Sequence, residues 1–351
     1  MVKNVIKSIF LQVGADALVT CAEDLRFYLT GFESSFGVVI TDNDGTRFLT
    51  DPRYLEAAQK KLGGSGIIVE QFPTGVKLPE LLKNYKSLGV PFEKITANEY
   101  NSLISAGYEL IDSTAAFTKA MSVKTDSEIA NITLACEATD KAYLQLLPEI
   151  KEGMTENEVA ALLEYFMRSN GASRTSFDTI CAFGPNASVP HHETGNTRLK
   201  FGDPILIDFG CKINGYCSDC TRTFLFGDDG KHEDFKKIYN RVLEAHMRVK
   251  ENFTVGMTGK EGDAIAREYL AKYELAQYFT HSLGHSLGIN IHELPGLSPR
   301  DNTIFCDSMV FSDEPGVYLA GKLGIRIEDT VTLKNGKVLS LTKTDKNLVI
   351  L

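Results

Sequence analysis

Two stretches of this chain begin alike: GMTENEVAALLEYF from Gly153 and GMTGKEGDAIAREYL from Gly256. Each reads Gly-Met-Thr, two variable residues and Glu, then runs on as an amphipathic segment. Val159, Leu162, Leu163 and Phe166 follow i, i+3, i+4, i+7, the period of a helix with one buried face. Thr155 with Glu158, and Thr258 with Glu261, have the spacing of a capping box, in which two side chains satisfy the open N–H groups of a helix start. Two helices that merely share a common cap would carry no further consequence. A duplicated half-domain carries one: whatever follows the first helix must be echoed after the second.

A chain of 351 residues has room for about two domains at ~150 residues each. The first third alternates apolar runs with helical patterns. ALVTC, FGVVIT, TRFLT and GIIVEQF read as strands, PRYLEAAQKKL and LPELLKNY as helices. This is the alternation of a small layered α/β domain. Past STAAFTKAMSVKTDSE, Thr125 and Glu128 form another capping box, and Ile129, Ile132 and Cys136 step along one face of the helix that follows. The domain boundary is therefore placed near residue 120, giving domains 1–120 and 121–351.

Charge and composition exclude several classes. A net charge of −9 argues against nucleic-acid or anionic-membrane partners. No apolar run reaches the ~18 residues of a membrane span. The N-terminal run is short and interrupted by Lys3, Lys7 and Asp16, unlike a signal peptide. Seven scattered cysteines, an odd number, fit reduced thiols in a cytoplasmic protein. GMTGK lacks the spacer and the following Ser/Thr of a phosphate loop, and HSLGHSLG is not a dinucleotide fingerprint.

The acids come next. ILIDFG is an apolar strand that ends in a carboxylate, and Asn214-Gly215 is a strong signal for a two-residue hairpin turn. Ile213 then faces Tyr216, and Asp208 faces Thr221. Strand side chains alternate with period two. Asp208 and Asp219 therefore share a face as diagonal neighbours, ~7 Å apart at the backbone. Two such carboxylates need a cation between them, and Arg222 alternates to the other face. By the same parity Cys217 shares the aspartates' face and Cys220 does not, so the C-x-x-C cannot bring both sulfurs to one metal. No second ligand pair for a zinc ribbon follows, and the strand-like TRTFLF excludes a helix-capped redox dithiol.

The duplication demands a second acidic pair, and Glu314 and Glu328 supply it, 106 residues after Asp208 and 109 after Asp219. Glu328 is expected in a strand, with Arg326 beside it and with Ile325 and Ile327 on the opposite face. Five of the seven histidines cluster in two stretches: His191 and His192, then His281, His285 and His292. Gly284 and Gly288 argue against a helix there, so His281 and His285 need not both be ligands. His232 and His246 read as structural. Four carboxylates and an imidazole or two suit manganese, cobalt or zinc, and two such ions can activate a water and polarise a carbonyl. That combination implies amide or ester hydrolysis.

The residues SFDTICAFGPNASVPHH, GDPILIDFG, GYCSDCTRTF, HSLGHSLGINIHELP, DEPGVY and GIRIEDT together resemble the pita-bread metallopeptidases, the family of methionine aminopeptidase, prolidase and X-prolyl aminopeptidase. DALVTCAEDLRFYLTGF and LTDPRYLEAA resemble the creatinase-type N-terminal domain. The implied fold class is α/β (α+β): a creatinase-like domain, then a pita-bread catalytic domain with an internal pseudo-two-fold repeat. The implied ligands are Asp208, Asp219, His285, Glu314 and Glu328, with Asp219 and Glu328 bridging two divalent ions, manganese first and cobalt or zinc next. Glu314 would double as general base on a metal-bridging hydroxide. His191 and His292 match histidines that steady the tetrahedral intermediate, His281 a near-site histidine, and Tyr318 and Arg326 positions that meet a proline or its carboxylate. His192 stands where a small or aromatic residue is usual. Asp313 stands where an apolar residue is usual, and is expected to add an acid beside the site.

The resemblance implies an aminopeptidase that cuts before proline in short peptides with proline second, acting as a homodimer. An Xaa-Pro bond has no amide hydrogen, so a site that reads the free amine and the ring suits it better than strand-like binding. An Xaa-Pro dipeptidase is the nearest alternative. A non-catalytic peptide-binding protein should have lost a ligand, and a creatinase-like amidinohydrolase would not need them.

Overall fold

The computed structural model describes residues 2–351, with side chains from residue 5 onward. The chain divides into two compact units, Met1–Met121 and Ser122–Leu351.

The first unit is built on a six-stranded mixed sheet. Its order is Ile67–Gln71, Thr46–Thr50, Val38–Thr41, Ala17–Thr20, Ser87–Val90 and Glu109–Asp112. The four expected strands all form. So does the helix Pro52–Leu62, which starts where Asp51 accepts from Arg53 N (2.8 Å) and Pro52 fixes the first helical φ. LPELLKNY is a correction: only Leu78–Leu81 is helical. The chain then unwinds through a turn that buries Leu82 and brings the Tyr85 hydroxyl to Asp42.

The second unit bears out the repeat at the level of single hydrogen bonds. Helices Asp126–Leu146 and Glu156–Ser169 pack together as one pair, Glu233–Asn252 and Gly259–Ala271 as the other. The capping boxes at Thr125, Thr155 and Thr258 all close. Gly153 N donates to Leu199 O (2.8 Å) and Leu199 N to Met154 O (2.9 Å). In the second half Gly256 N donates to Phe305 O (2.9 Å) and Phe305 N to Met257 O (2.8 Å). Each half also has its own apolar core, one around Val159, Phe209 and Phe224, the other around Val249, Phe305 and Phe311.

In front of these cores lie the sheets. One runs Cys220–Leu225, Pro204–Phe209, Ile180–Phe183. The other runs Glu293–Leu297, Gly284–Ser286, Val310–Asp313, Asp329–Lys334, Lys337–Ser340. Gly284 is obligatory where these strands meet, since a Cβ there would lie 1.9 Å from Ser312 O. Among the described residues no helix is long and apolar enough to cross a membrane.

Candidate metal centre

The Asn214-Gly215 turn adopts positive φ at both residues, 50° and 83°. Ile213 pairs with Tyr216 and Asp208 with Thr221, the register the turn dictates. The return strand is not continuous. It breaks at residues 218–219, where Asp219 N donates to Thr330 Oγ1 (3.0 Å) and Thr330 Oγ1 donates to Asp219 O (2.8 Å). This break corrects one expectation. Cys217 is not on the metal face but packs with Ile132, Cys136, Leu287 and Val310. Cys220 lies in the first-half core, and burial pushes both thiols up, Cys217 to about 11.

Glu328 is likewise not in a strand. It sits in a matching break at 327–328, between Leu323–Arg326 and Asp329–Lys334. Its N–H donates to Thr221 O (3.1 Å), and Thr221 Oγ1 donates to its Oε2 (2.7 Å). The two halves thus exchange contacts reciprocally. Asp219 leans on a threonine two residues after Glu328, and Glu328 on a threonine two residues after Asp219.

His285 sits where Gly284–Ser286 meets Val310–Asp313. Its Nδ1 donates to Ser286 O (3.1 Å), which turns Nε2 to 3.4 Å from Asp219 Oδ2 and 3.5 Å from Glu314 Oε1. Glu314 Oε1 accepts from Ser312 Oγ (2.9 Å). Ligand atoms of Asp219, His285 and Glu328 lie within 4.8 Å of one another. Asp208 Oδ2 accepts from Arg326 Nη2 (2.6 Å), while its buried Oδ1 has no partner. Around them lies a cavity of about 1070 Å³ that also takes in His191, His192, His281 and His292. All the expected site residues except Tyr318 line it, and Tyr318 lies just behind. Arg326 Nη1 donates to the Tyr318 hydroxyl (2.7 Å), which lies 2.9 Å from His281 Nε2, while His281 Nδ1 donates to Ser282 O (2.8 Å). His292 stacks edge-on against His285 at 4.4 Å between centroids. His191 is exposed at the cavity wall.

Electrostatics mark the cluster as a cation site. Burial raises Asp219 to about 6, helped by Asp208 and opposed by His285. Burial raises Glu314 to about 7, with His285 and Arg326 opposing and Asp219 and Asp208 assisting. Glu328 is driven well up by burial and then by Asp219 and Glu314. Burial would neutralise His285, but Asp219 and Glu314 outweigh it and hold it at about 9. His281 goes the other way, to about 3, through burial and the Arg326 charge. Crowded acids that take up protons, together with the orphaned Asp208 Oδ1, are what a set of oxygen and imidazole donors shows without its cation. The residues fit divalent metal.

Asp313 is a further correction. It adds nothing to the cavity, because its side chain points to the far side of the strand end, 3.0 Å from His246 Nδ1. His246 is indeed structural in position, fully buried. One important residue carried no expectation. Glu156 is fully buried and accepts from Phe183 N (2.9 Å), Asn186 Nδ2 (2.8 Å) and Gly195 N (3.0 Å), with His192 Nε2 at 3.0 Å. It gathers the loop that carries His191. Its signal was a break in the echo: the matching position of the second copy is Gly259.

Comparison with known proteins agrees with this architecture. Residues 130–335 match the model of metallopeptidase family M24, and residues 6–120 that of the creatinase/prolidase N-terminal domain. An Xaa-Pro dipeptidase of Pyrococcus horikoshii is 35% identical over 340 residues, covering 95% of this chain and 94% of that protein. The structure of an Xaa-Pro dipeptidase from Bacillus anthracis superposes with a TM-score of 0.94 at 35% identity, over 100% of this chain and 99% of that one. That of an X-Pro aminopeptidase from Thermotoga maritima gives 0.90 at 32% identity, over 98% and 99%. A creatinase-type domain, a repeated catalytic domain and a carboxylate-rich cation site make this chain a metallopeptidase that belongs to family M24.

Proposed function

We propose that the chain is a two-metal aminopeptidase that removes the residue before proline from peptides longer than two residues. The observation that carries the choice is the charge of the cavity wall. Among the described residues lining the cavity, Arg326 is the one Lys or Arg, and it is already engaged by Asp208 and Tyr318. Apart from the histidines, the other ionisable wall residues are acids, including Glu164, Asp178, Glu193 and Asp301. A dipeptide presents its carboxylate directly after the proline ring, where no unpaired cation receives it and several acids repel it. A longer peptide presents a neutral amide there.

Asp208, Asp219, His285, Glu314 and Glu328 would hold the ions. Manganese is the first choice for so oxygen-rich a donor set, with cobalt or zinc next. Bound there, the ions supply Lewis-acid activation of water and of the scissile carbonyl. Glu314, steadied by the Ser312 hydroxyl at the cavity wall, would take the proton from the attacking water. His191 and His292 face the cavity as N–H donors for the developing oxyanion. The Arg326–Tyr318–His281 chain shapes the proline side. The same family resemblance implies a homodimer, which light scattering on the intact chain tests.

The dipeptidase reading is favoured by the names of two of the relatives above. Rates on Xaa-Pro and Xaa-Pro-Xaa, with added manganese and then with a chelator, separate the two. The expected result is a kcat/KM roughly tenfold or more higher on the tripeptide, an effect of about 1.4 kcal/mol, and no turnover after metal removal. Equal or better cleavage of the dipeptide would overturn the aminopeptidase reading.

A further inference from the structure

The last rung of the ladder between Val310–Asp313 and Asp329–Lys334 pairs Asp313 directly with Asp329. Like charges opposed across a ladder repel, and both residues are fully buried. The adjoining residues, Glu314 and Glu328, face the cavity. Four acids therefore stand back to back at one strand end, two toward the metal and two away from it.

The rear pair is neutralised by the protein itself. Asp329 lies 2.9 Å from Arg222 Nη2 and 3.0 Å from Lys346 Nζ, and accepts from Ser340 Oγ (2.6 Å) and Thr342 Oγ1 (3.0 Å). Asp313 has no such shell. Its carboxylate lacks a well-aligned hydrogen bond, and its close ionic contact is His246 Nδ1 at 3.0 Å, with Lys250 acting from further away. The same imidazole reaches Asp329 Oδ2 at 3.5 Å through Nε2. Burial alone would empty this ring of its charge, but Asp313 and Asp329 outweigh it and hold it at about 9. The first half has no equivalent and needs none. Asp208 is flanked by Ile207 and Phe209, and Asp219 by Ser218 and Cys220, all neutral.

We infer that His246 is a positioning residue: its charge closes the Asp313–Asp329 rung from behind and thereby fixes where Glu314 and Glu328 meet the metal. This rests on the reading that those two glutamates are ligands. The test is calorimetric titration of manganese into chelator-stripped wild-type chain and variants, followed by kinetics at saturating manganese. His246→Gln keeps polarity and removes the charge. It should weaken manganese binding roughly tenfold or more, the usual scale for an outer-shell partner, and lower kcat while KM stays within about twofold. Adding Asp313→Asn removes the uncompensated acid and should restore affinity to within about threefold of wild type. Wild-type manganese affinity in His246→Gln, or a double variant as weak as the single, would overturn the inference. If His246→Gln alone does not fold, a folded, manganese-binding double variant supports it and an unfolded one overturns it. A wild-type chain that binds no manganese would fail the metal reading and this inference with it, whereas the variant results bear on this inference alone.

Discussion

Asp219 and Cys220 are adjacent in sequence and opposite in consequence. Asp219 reaches His285 and the ligand cluster. Cys220 fills an apolar core with its sulfur 3.7 Å from Glu328 O. Asp219→Ala should bring turnover below detection and lower the bound metal per chain, measured by elemental analysis of the purified protein. Cys220→Ser should keep both, with activity within about twofold and a stability cost of ~1–2 kcal/mol for a buried hydroxyl, read from denaturant melts. Metal loss in Cys220→Ser would contradict the parity of the hairpin. That parity was legible because a two-residue turn and a period of two leave no freedom between Ile213 and Asp208. Cys217 was not legible, because the break that turns it inward is made by Thr330, more than a hundred residues away.

At the level of elements, the helix Glu156–Ser169 does more than complete a repeat. Glu156 at its first position accepts from both backbone and side chain of the stretch 183–195, and His191 lies within that stretch. Glu156→Ala leaves several buried donors without an acceptor, at ~1–3 kcal/mol for each that water cannot reach. The expected outcome is a lower melting temperature together with a fall in kcat larger than any change in KM, since on the proposed mechanism the loop's histidine acts on the transition state. Glu156→Gln keeps one carbonyl acceptor and should recover part of both. A variant that loses stability but keeps full kcat would detach the loop from the chemistry. The capping boxes and the repeat could be read directly, because each is a local pattern with fixed spacing. LPELLKNY could not: its helical period is real, but the sheet needs Leu82 and Tyr85 in a turn, and tertiary packing decides over four residues. Glu328 reads as a strand residue in the sequence for a similar reason, since its strand breaks only where the other half's Thr221 takes over its N–H.

For the whole molecule, the cost of gathering these acids makes stability depend on pH and on metal together. In the metal-free chain Asp219 and Glu314 bind protons more tightly than their ordinary values of 3.8 and 4.5, at about 6 and about 7. His285 does the same, at about 9 against 6.5. A raised folded-state pKa contributes stability that is complete below the ordinary value and is lost as pH rises through the folded one. The carboxylates therefore withdraw stability between about pH 4 and 7, and His285 between about 6.5 and 9. Asp329 has the opposite sign, since Arg222 and His246 overcome its burial and hold it well below the usual range, so its contribution is lost only in acid. With the proposed ligand set, metal binding requires the first three groups to give up those protons, so affinity rises over the same range in which these acids come to repel one another. Melting curves with manganese and with chelator at pH 5.5 and pH 8 should consequently diverge: the chelated protein melts lower at pH 8 than at pH 5.5, while the loaded protein does not. Calorimetry in two buffers of different ionisation enthalpy should detect proton release on binding at the lower pH. A gap between loaded and stripped protein that narrows toward pH 8 would mean that these acids do not meet at the metal.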